Sequence, residues 1–565
     1  MNGDAGWWKH GVIYQVYPRS FFDSNGDGVG DLPGICAKLD YLAELGVSGV
    51  WLSPINASPM LDFGYDVADY RGIDPLFGSL SDFDHLLREA HDRGIRIIMD
   101  LVLNHTSALH PWFVESRSSR ESPKRNWYLW HEGRRPPNNW LSSFGGRAWE
   151  WDERTRQCYL HSFLRGQPDL NWRNSQVRSA LFDEIRFWLD RGVDGFRLDV
   201  VNWLVKDARL RSNPFGVGPY PRPYDLQRHL YDRNRPETHE ITAELRRLLD
   251  AYGSRMAVGE VYAEPPGDPL LSASFLGSGE DELHLAFDFS LSYARWNATD
   301  FAVRIARWME VIPRGGWPCH VLSNHDQPRA ISRYGARLSR GEADKRGRVA
   351  AFLLLTLRGT PFLYYGEEIG MRNGRIKRRE LLDPVGKRYW PLNVGRDGER
   401  TPMRWSPEPN AGFTTGTAWL PAGDLSDGIN VEEERSDPSS LLILFQRLIA
   451  LRKEEPALAA GDWNLLRAGQ GGVLVYSRSF EGKHLLITLN FERRASPAPL
   501  LEVEPGSGGS EGEVLFSTHR PKGERCRLPE TRLAPYEATI WRAASQDRFE
   551  REAHVPWTDR PASKP

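Results

Sequence analysis

The chain has 565 residues, enough for two or three domains with a full core. Its formal charge of -2 and pI near 6.8 give no basic surplus that would favour nucleic acid or an anionic membrane. Cys36, Cys158, Cys319 and Cys526 are scattered without a CxxC spacing, so neither a disulfide framework nor a zinc site is expected. No apolar run is long enough to span a bilayer, and the start, MNGDAGWWKHGVIYQ, lacks a basic segment followed by an apolar one. A cytoplasmic location is the expectation. The 21 tryptophans admit two readings, a large core or flat rings that stack on sugar faces.

Taken in chain order, eight short apolar runs alternate with amphipathic helical stretches. They begin at Val12 (VIYQVYPRSF), Val47 (VSGVWLSP), Arg96 (RIIMDLVLN), Gly195 (GFRLDV), Met256 (MAVGEVY), Leu285 (LAFDFSL), His320 (HVLSNHD) and Thr360 (TPFLYYGEE). Between them, LFDEIRFWLDRG has the 3.6-residue period and ends at Gly192. Eight such repeats predict an α/β fold, a closed parallel (β/α)8 barrel. It covers residues 1–105 and 175–460. Residues 106–174 fall in a gap too long for a β/α connection and predict an inserted domain over the barrel mouth. A polar, Gly/Pro-rich stretch from about Met371 to Asp437 predicts a second wall, followed by a last helix from Ser439. From 461 to 545, short alternating runs predict an antiparallel β-sandwich. The tail, 546–565, is charged and Pro-containing, with little order expected.

Four acids stand at predicted strand ends: Asp100, Asp199, Glu260 and Asp326. Strand-end carboxylates on a parallel barrel face one mouth, and gathered carboxylates suit acid/base and nucleophilic work on a sugar acetal. DSNGDGVGD places Asp23, Asn25, Asp27 and Asp31 at alternating positions with the Val29 carbonyl between them. It looks like the first part of an EF-hand loop, but Gly34 stands where the last bidentate Glu would be. A polar turn held by Asx hydrogen bonds is the alternative.

The blocks DLVLNH, GFRLDVVN, GEVY and SNHD, with QPDLNW at Gln167 to Trp172, together resemble the α-amylase superfamily, glycoside hydrolase family 13, in its α-glucosidase and oligo-1,6-glucosidase branch. The resemblance runs from about Trp8 to Trp541. It implies Asp199 as nucleophile, Glu260 as general acid/base and Asp326 as the acid that stabilises the transition state. It implies that Arg197 orients Asp199, that His105 and His325 contact the first sugar ring, and that Phe163 lies in the substrate site. Reaction would proceed with retention, the reacting carboxyls about 5–5.5 Å apart. Asp100 is expected to support Arg197 or His105 without touching the reacting atoms.

In the exo-acting branch an Asp–Arg pair closes the pocket and a Tyr stacks on the first glucose; the matching residues are Asp62, Arg400 and Tyr65. Arg404 stands in PMRW where the branch usually has PMQW, and is expected to alter the pocket wall. Val200, directly after the nucleophile position, leans toward α-1,6 over α-1,4 linkages; the plainer reading is a good strand former. The matching Asp23–Asp31 loop of the branch binds calcium, or sometimes magnesium. No organic cofactor is expected, and the partner is a small oligosaccharide. A glucosyltransferase or sucrose isomerase would share every one of these acids, although no RLDRD-like segment follows HDQPR. A non-catalytic sugar-binding module would have lost them.

Overall fold

The computed structural model describes residues 6–216, 218, 222–336, 338–469, 472–497 and 511–543; the predicted tail lies outside them. Eight parallel strands form one sheet: β1 (Ile13–Val16), β2 (Gly49–Leu52), β3 (Arg96–Leu101), β4 (Gly195–Leu198), β5 (Met256–Gly259), β6 (Leu285–Ala286), β7 (Cys319–Val321) and β8 (Thr360–Tyr364). Each overlaps one of the eight apolar runs, β7 beginning one residue before its run. Their order is β6-β5-β4-β3-β2-β1-β8-β7, so β6 and β7 are the two free edges. A single parallel bridge from Asp288 to His320 joins them, with the Asp288 amide donating to the Cys319 carbonyl at 3.0 Å. The sheet is a nearly closed barrel.

The strands read as apolar runs because both faces are buried. Ile13, Trp51, Ile98, Met256, Val258, Leu285, Val321 and Phe362 form one core cluster. The helix after the long insertion spans Ser175–Asp190, beginning well before Leu181, because the Asn174 side chain caps it by accepting the Gln176 amide at 2.9 Å. Gly192, at φ 104, then allows the left-handed turn into β4. Within 106–174, strands Trp130–Glu132, Trp149–Asp152 and Gln157–Leu160 make a three-stranded antiparallel sheet. Trp140, Ala148, Trp149, Cys158 and Leu160 form its core.

The chain divides into two compact units. One holds the barrel strands and residues 360–449; the other combines residues 294–310 and 334–359 with everything from 450 onward. In the second unit, β9 (Asp462–Ala468), β10 (Val473–Phe480), β11 (Lys483–Asn490), β12 (Glu511–Ser517), β13 (Arg525–Arg527) and β14 (Ala538–Ala543) form an antiparallel sheet in the order β9-β10-β11-β14-β12-β13. A two-stranded ribbon pairs Ser496–Pro497 with Arg532–Leu533, and Leu533 joins Val475, Leu486, Val514 and Trp541 in one core. Two arginines without acid partners among the described residues are fully buried there. Arg452 donates to the carbonyls of Leu355, Leu357 and Gly359, and Arg478 to those of Thr356 and Gly461. They satisfy the open carbonyls at the end of helix Arg340–Thr356, where its dipole also favours cations. Among the described residues no helix is long and apolar enough to cross a membrane.

Candidate active site

Asp100 lies near the end of β3, Arg197 inside β4, and Asp199 and Glu260 one residue beyond β4 and β5. Asp100 and Arg197 are register partners on adjacent strands. The side chains therefore converge at the C-terminal end of the barrel. Arg197 is fully buried and is the hub. Its Nη1 lies 2.8 Å from Asp100 Oδ1 and 2.8 Å from Asp199 Oδ1, and its Nη2 lies 2.7 Å from Glu260 Oε2. Of the two residues that Asp100 was expected to support, Arg197 or His105, it contacts Arg197, which also meets Asp199. Asp100 also accepts from Tyr65 Oη (3.0 Å) and Trp51 Nε1 (3.2 Å).

One guanidinium cannot neutralise three carboxylates. Burial is the largest influence on Asp100, Asp199 and Glu260 and pushes all three carboxyls up, while Arg197 pulls each down. Burial also works against the charge on Arg197, but Asp100 and Glu260 outweigh it. Burial thus favours the protonated form of these acids, and Arg197 favours the ionised form. Glu260 Oε1 is buried and has no hydrogen-bond partner among the described residues.

Asp326 follows β7 in the loop and has a different setting. Its Oδ1 accepts from Arg400 Nη2 at 2.6 Å and Arg396 Nη1 at 3.0 Å. Burial opposes its charge, but the neighbouring guanidinium groups of Arg396 and Arg400 hold its carboxyl below the usual range. His325 itself is kept neutral by burial. Its Nδ1 accepts from Gln15 Nε2 at 2.9 Å, which leaves the hydrogen on Nε2, 2.7 Å from Tyr65 Oη. The Tyr65 and His325 rings stack at 5.4 Å, with an interplanar angle of 2°. His105 is also buried, and burial lowers its pKa to about 4. Its Nε2 lies 2.9 Å from the Tyr65 carbonyl and 3.1 Å from Gln167 Nε2.

The expected direct pair between Asp62 and Arg400 is not made. Asp62 Oδ1 instead accepts from Arg396 Nη2 at 3.0 Å, and its Oδ2 from Gln167 Nε2 at 3.2 Å. Arg400 turns to Asp326 and to the His325 carbonyl (2.8 Å). The two arginines lie four residues apart in an irregular loop, where sequence gives no periodicity to decide which one reaches Asp62. Arg396 and Gln167 are the site residues that the motifs left out. For Gln167 a signal was available, since it opens the QPDLNW block. Arg404 pairs with both oxygens of Asp427, at 2.8 and 2.9 Å.

Val200 is not in a strand. β4 ends at Leu198, and Val200 has φ 37 and ψ 47. A β-branched residue in the left-handed region is strained. The turn aims its amide at Glu260 Oε2, 3.3 Å away. Its side chain packs with Trp203 and Tyr224, against Phe163 and Tyr262. Phe163 stacks on Trp203 at 5.0 Å. Of the tryptophans, Trp51, Trp140, Trp172, Trp188, Trp308 and Trp541 are core residues, whereas Trp203 belongs to this aromatic wall.

The loop from Asp23 to Asp31 is folded on Asx turns. Asp23 accepts the amides of Asn25, Gly26 and Gly28; Asn25 accepts that of Asp27, and Asp27 that of Val29. Asp31 accepts from Ser24 and caps the next helix at Gly34. The donors are all hard oxygens, the kind that calcium or magnesium takes. No three His, Cys, Asp or Glu side chains converge on a metal-sized space among the described residues. A cation would have to be held by a mixed set including the Asn25 amide and the Val29 carbonyl.

Comparison with known proteins agrees with this geometry. Residues 15–461 match the alpha amylase catalytic domain family. The chain is 43% identical to a probable alpha-glucosidase of Rhizobium meliloti, over 91% of this chain and 95% of that one. It is 38% identical to the oligo-1,6-glucosidase of Parageobacillus thermoglucosidasius, over 95% and 99%. The crystal structure of the alpha-glucosyl transfer enzyme XgtA superposes with a TM-score of 0.86 at 41% identity, covering 95% of this chain and 99% of that one. With the barrel, the gathered acids and this match over most of its length, the chain belongs to the α-amylase family and is a glycoside hydrolase.

Proposed function

We propose that the enzyme is an exo-acting, retaining α-glucosidase that removes single glucose units from the non-reducing end of short α-glucosides. The observation that carries this reading is the Arg197 hub, which draws Asp199 and Glu260 to one cation while leaving Glu260 Oε1 without a partner. In this scheme Glu260 holds the proton and gives it to the glycosidic oxygen as the bond to the anomeric carbon breaks. The Asp199 carboxylate, oriented by Arg197, bonds to that carbon. Water then displaces Asp199, and Glu260 takes the proton of that water. Asp326, ionised by its arginine neighbours, accepts sugar hydroxyls and offsets the positive charge of the transition state. The exo reading is supported by Asp62, which is buried and tied across to the late loop, as at the closed end of a pocket.

The linkage preference is α-1,6 over α-1,4. Support comes from Val200, next to Asp199 in the aromatic wall, and from the oligo-1,6-glucosidase relative. A second reading is glucosyl transfer, in which a sugar hydroxyl replaces water at the second step; the likeness to an alpha-glucosyl transfer enzyme favours it. Time-resolved product analysis on maltose, isomaltose, sucrose and trehalose separates the two. Free glucose should dominate from the earliest points, and new disaccharides in excess over glucose would refute hydrolysis. A structural calcium or magnesium ion at the Asp23–Asp31 loop is proposed on its all-oxygen donor set.

A further inference from the structure

The aromatic wall beside Val200 has a charged back. Tyr224 stacks on Trp203, with ring centres 6.3 Å apart and an interplanar angle of 20°, and so extends the Trp203–Phe163 stack. Tyr224 also stacks on the His229 ring, at 4.0 Å and 30°. His229 is buried, and both of its ring nitrogens face acceptors. Nδ1 lies 2.6 Å from Asp232 Oδ2, and Nε2 lies 3.1 Å from the Tyr224 carbonyl. Carbonyls and ionised carboxylates only accept, so the ring carries a hydrogen on each nitrogen and is an imidazolium. Burial pushes the Asp232 carboxyl up, but the hydrogen bond from His229 brings it below the usual range. An aromatic face such as that of Tyr224 attracts the cation.

A second cation braces the same rings. The Arg233 guanidinium lies 4.8 Å from the centre of the Trp203 ring. Its Nη1 donates to Tyr224 Oη at 3.3 Å, and its Nη2 to Glu264 Oε1. Glu264, in the loop after β5, also accepts the His229 backbone amide through Oε2, at 3.2 Å. Asn202 completes the link. Its Oδ1 accepts the Tyr262 amide at 3.2 Å, and its Nδ2 donates to Asn234 Oδ1 at 2.7 Å. The charged groups acting on this assembly are Asp225, Asp232 and Arg233 from the loop after β4 and Glu264 from the loop after β5.

The wall flanks the acid that serves the leaving group. The Val200 amide faces Glu260 Oε2, Tyr262 follows Glu260 by two residues, and both side chains pack in the wall. In the scheme above Glu260 protonates the glycosidic oxygen, so the group that departs with that oxygen leaves along this wall. We propose that His229, hydrogen-bonded to Asp232, is a positioning residue for the leaving group: it fixes the Tyr224–Trp203–Phe163 stack and so sets how far the enzyme favours a departing sugar over a small leaving group. This rests on the retaining α-glucosidase reading, with Glu260 as the acid.

The test compares isomaltose and maltose with α-glucosyl fluoride, whose fluoride is too small to use the wall. The full-length enzyme is followed by steady-state kinetics from pH 5 to 9 and by thermal melting. In wild type, proton NMR should show α-glucose as the first anomer formed from the disaccharides; β-glucose first would defeat the retaining reading, and this proposal with it. Given α-glucose, His229→Gln should lower kcat/KM for the disaccharides by on the order of tenfold, while α-glucosyl fluoride stays within about twofold. The wild-type ratio of disaccharide to fluoride kcat/KM should fall as rising pH strips the second hydrogen from the ring, and in His229→Gln that ratio should be independent of pH. An equal loss on both kinds of substrate would mark a purely structural role and overturn the proposal. So would a disaccharide kcat/KM within about twofold of wild type, or a pH-dependent ratio that survives in the variant. If His229→Gln does not fold, Asp232→Asn decides alone, and an unchanged ratio there overturns the proposal.

Discussion

Nη1 of Arg197 lies 2.8 Å from Oδ1 of Asp199, two residues along the same chain. Alternate residues of a strand share a face, so β4 itself delivers the cation to the acid. The same guanidinium also meets Asp100 and Glu260, which makes the site an arrangement of one fixed charge among three carboxyls.

Asp199→Asn should abolish turnover of p-nitrophenyl α-glucoside, lowering kcat by at least about a thousandfold. Folding should be retained, since the amide keeps the shape of the carboxylate. Full activity in this variant would reject the covalent scheme.

Isomaltose should have a higher kcat/KM than maltose, and Val200→Thr should narrow the gap. Threonine is the informative replacement because it is also β-branched. It keeps the strain of the left-handed turn and changes only the polarity facing the Phe163 and Trp203 wall. A wild-type preference for maltose would refute the linkage proposal.

Glu399 predicts a pH dependence of stability. Burial raises its pKa from 4.5 to about 8, with Arg400 pulling the other way. Between those values the folded enzyme holds a proton that the unfolded chain has released, so raising pH through this window costs stability. Glu399→Gln should flatten the fall of Tm between pH 5 and pH 8. An identical slope in the variant would show that Glu399 does not carry it.

Arg452→Met should lower the melting temperature, with a cost of about 2–4 kcal/mol from the carbonyls left unpaired. Methionine retains the apolar stem. Differential scanning calorimetry gives the shift, and an unchanged Tm would mean that the carbonyls find other donors.

For the Asp23–Asp31 loop, millimolar calcium should raise the Tm of EDTA-treated enzyme, and Asp27→Ala should remove the rise. Asp27 is exposed and its side chain accepts the Val29 amide, so its loss should otherwise be mild. No change in Tm with calcium or magnesium would remove the cation from this loop.

The barrel was legible because its strands are buried on both faces and leave uninterrupted apolar runs. The acids were legible because they follow those runs directly. Asp62 was found as a site residue, but its partner was misassigned, since Arg396 and Arg400 sit in a loop whose path is set by Gly386, Gly395 and a buried Asp383. The plainer reading of Val200, a strand former, fails for a related reason. Valine favours strands, but the chain turns there through a conformation that valine resists, and only the tertiary contacts with Trp203 and Glu260 account for it.

Arg452 and Arg478 have a consequence for how the gene could be recombined. The helix between β7 and β8 ends on carbonyls that these two arginines satisfy from beyond residue 450. The C-terminal sheet is therefore not an exchangeable cassette. A chimera joined near residue 460 would need a donor that supplies the equivalent of Arg478, or the graft would leave a helix end dry and unpaired.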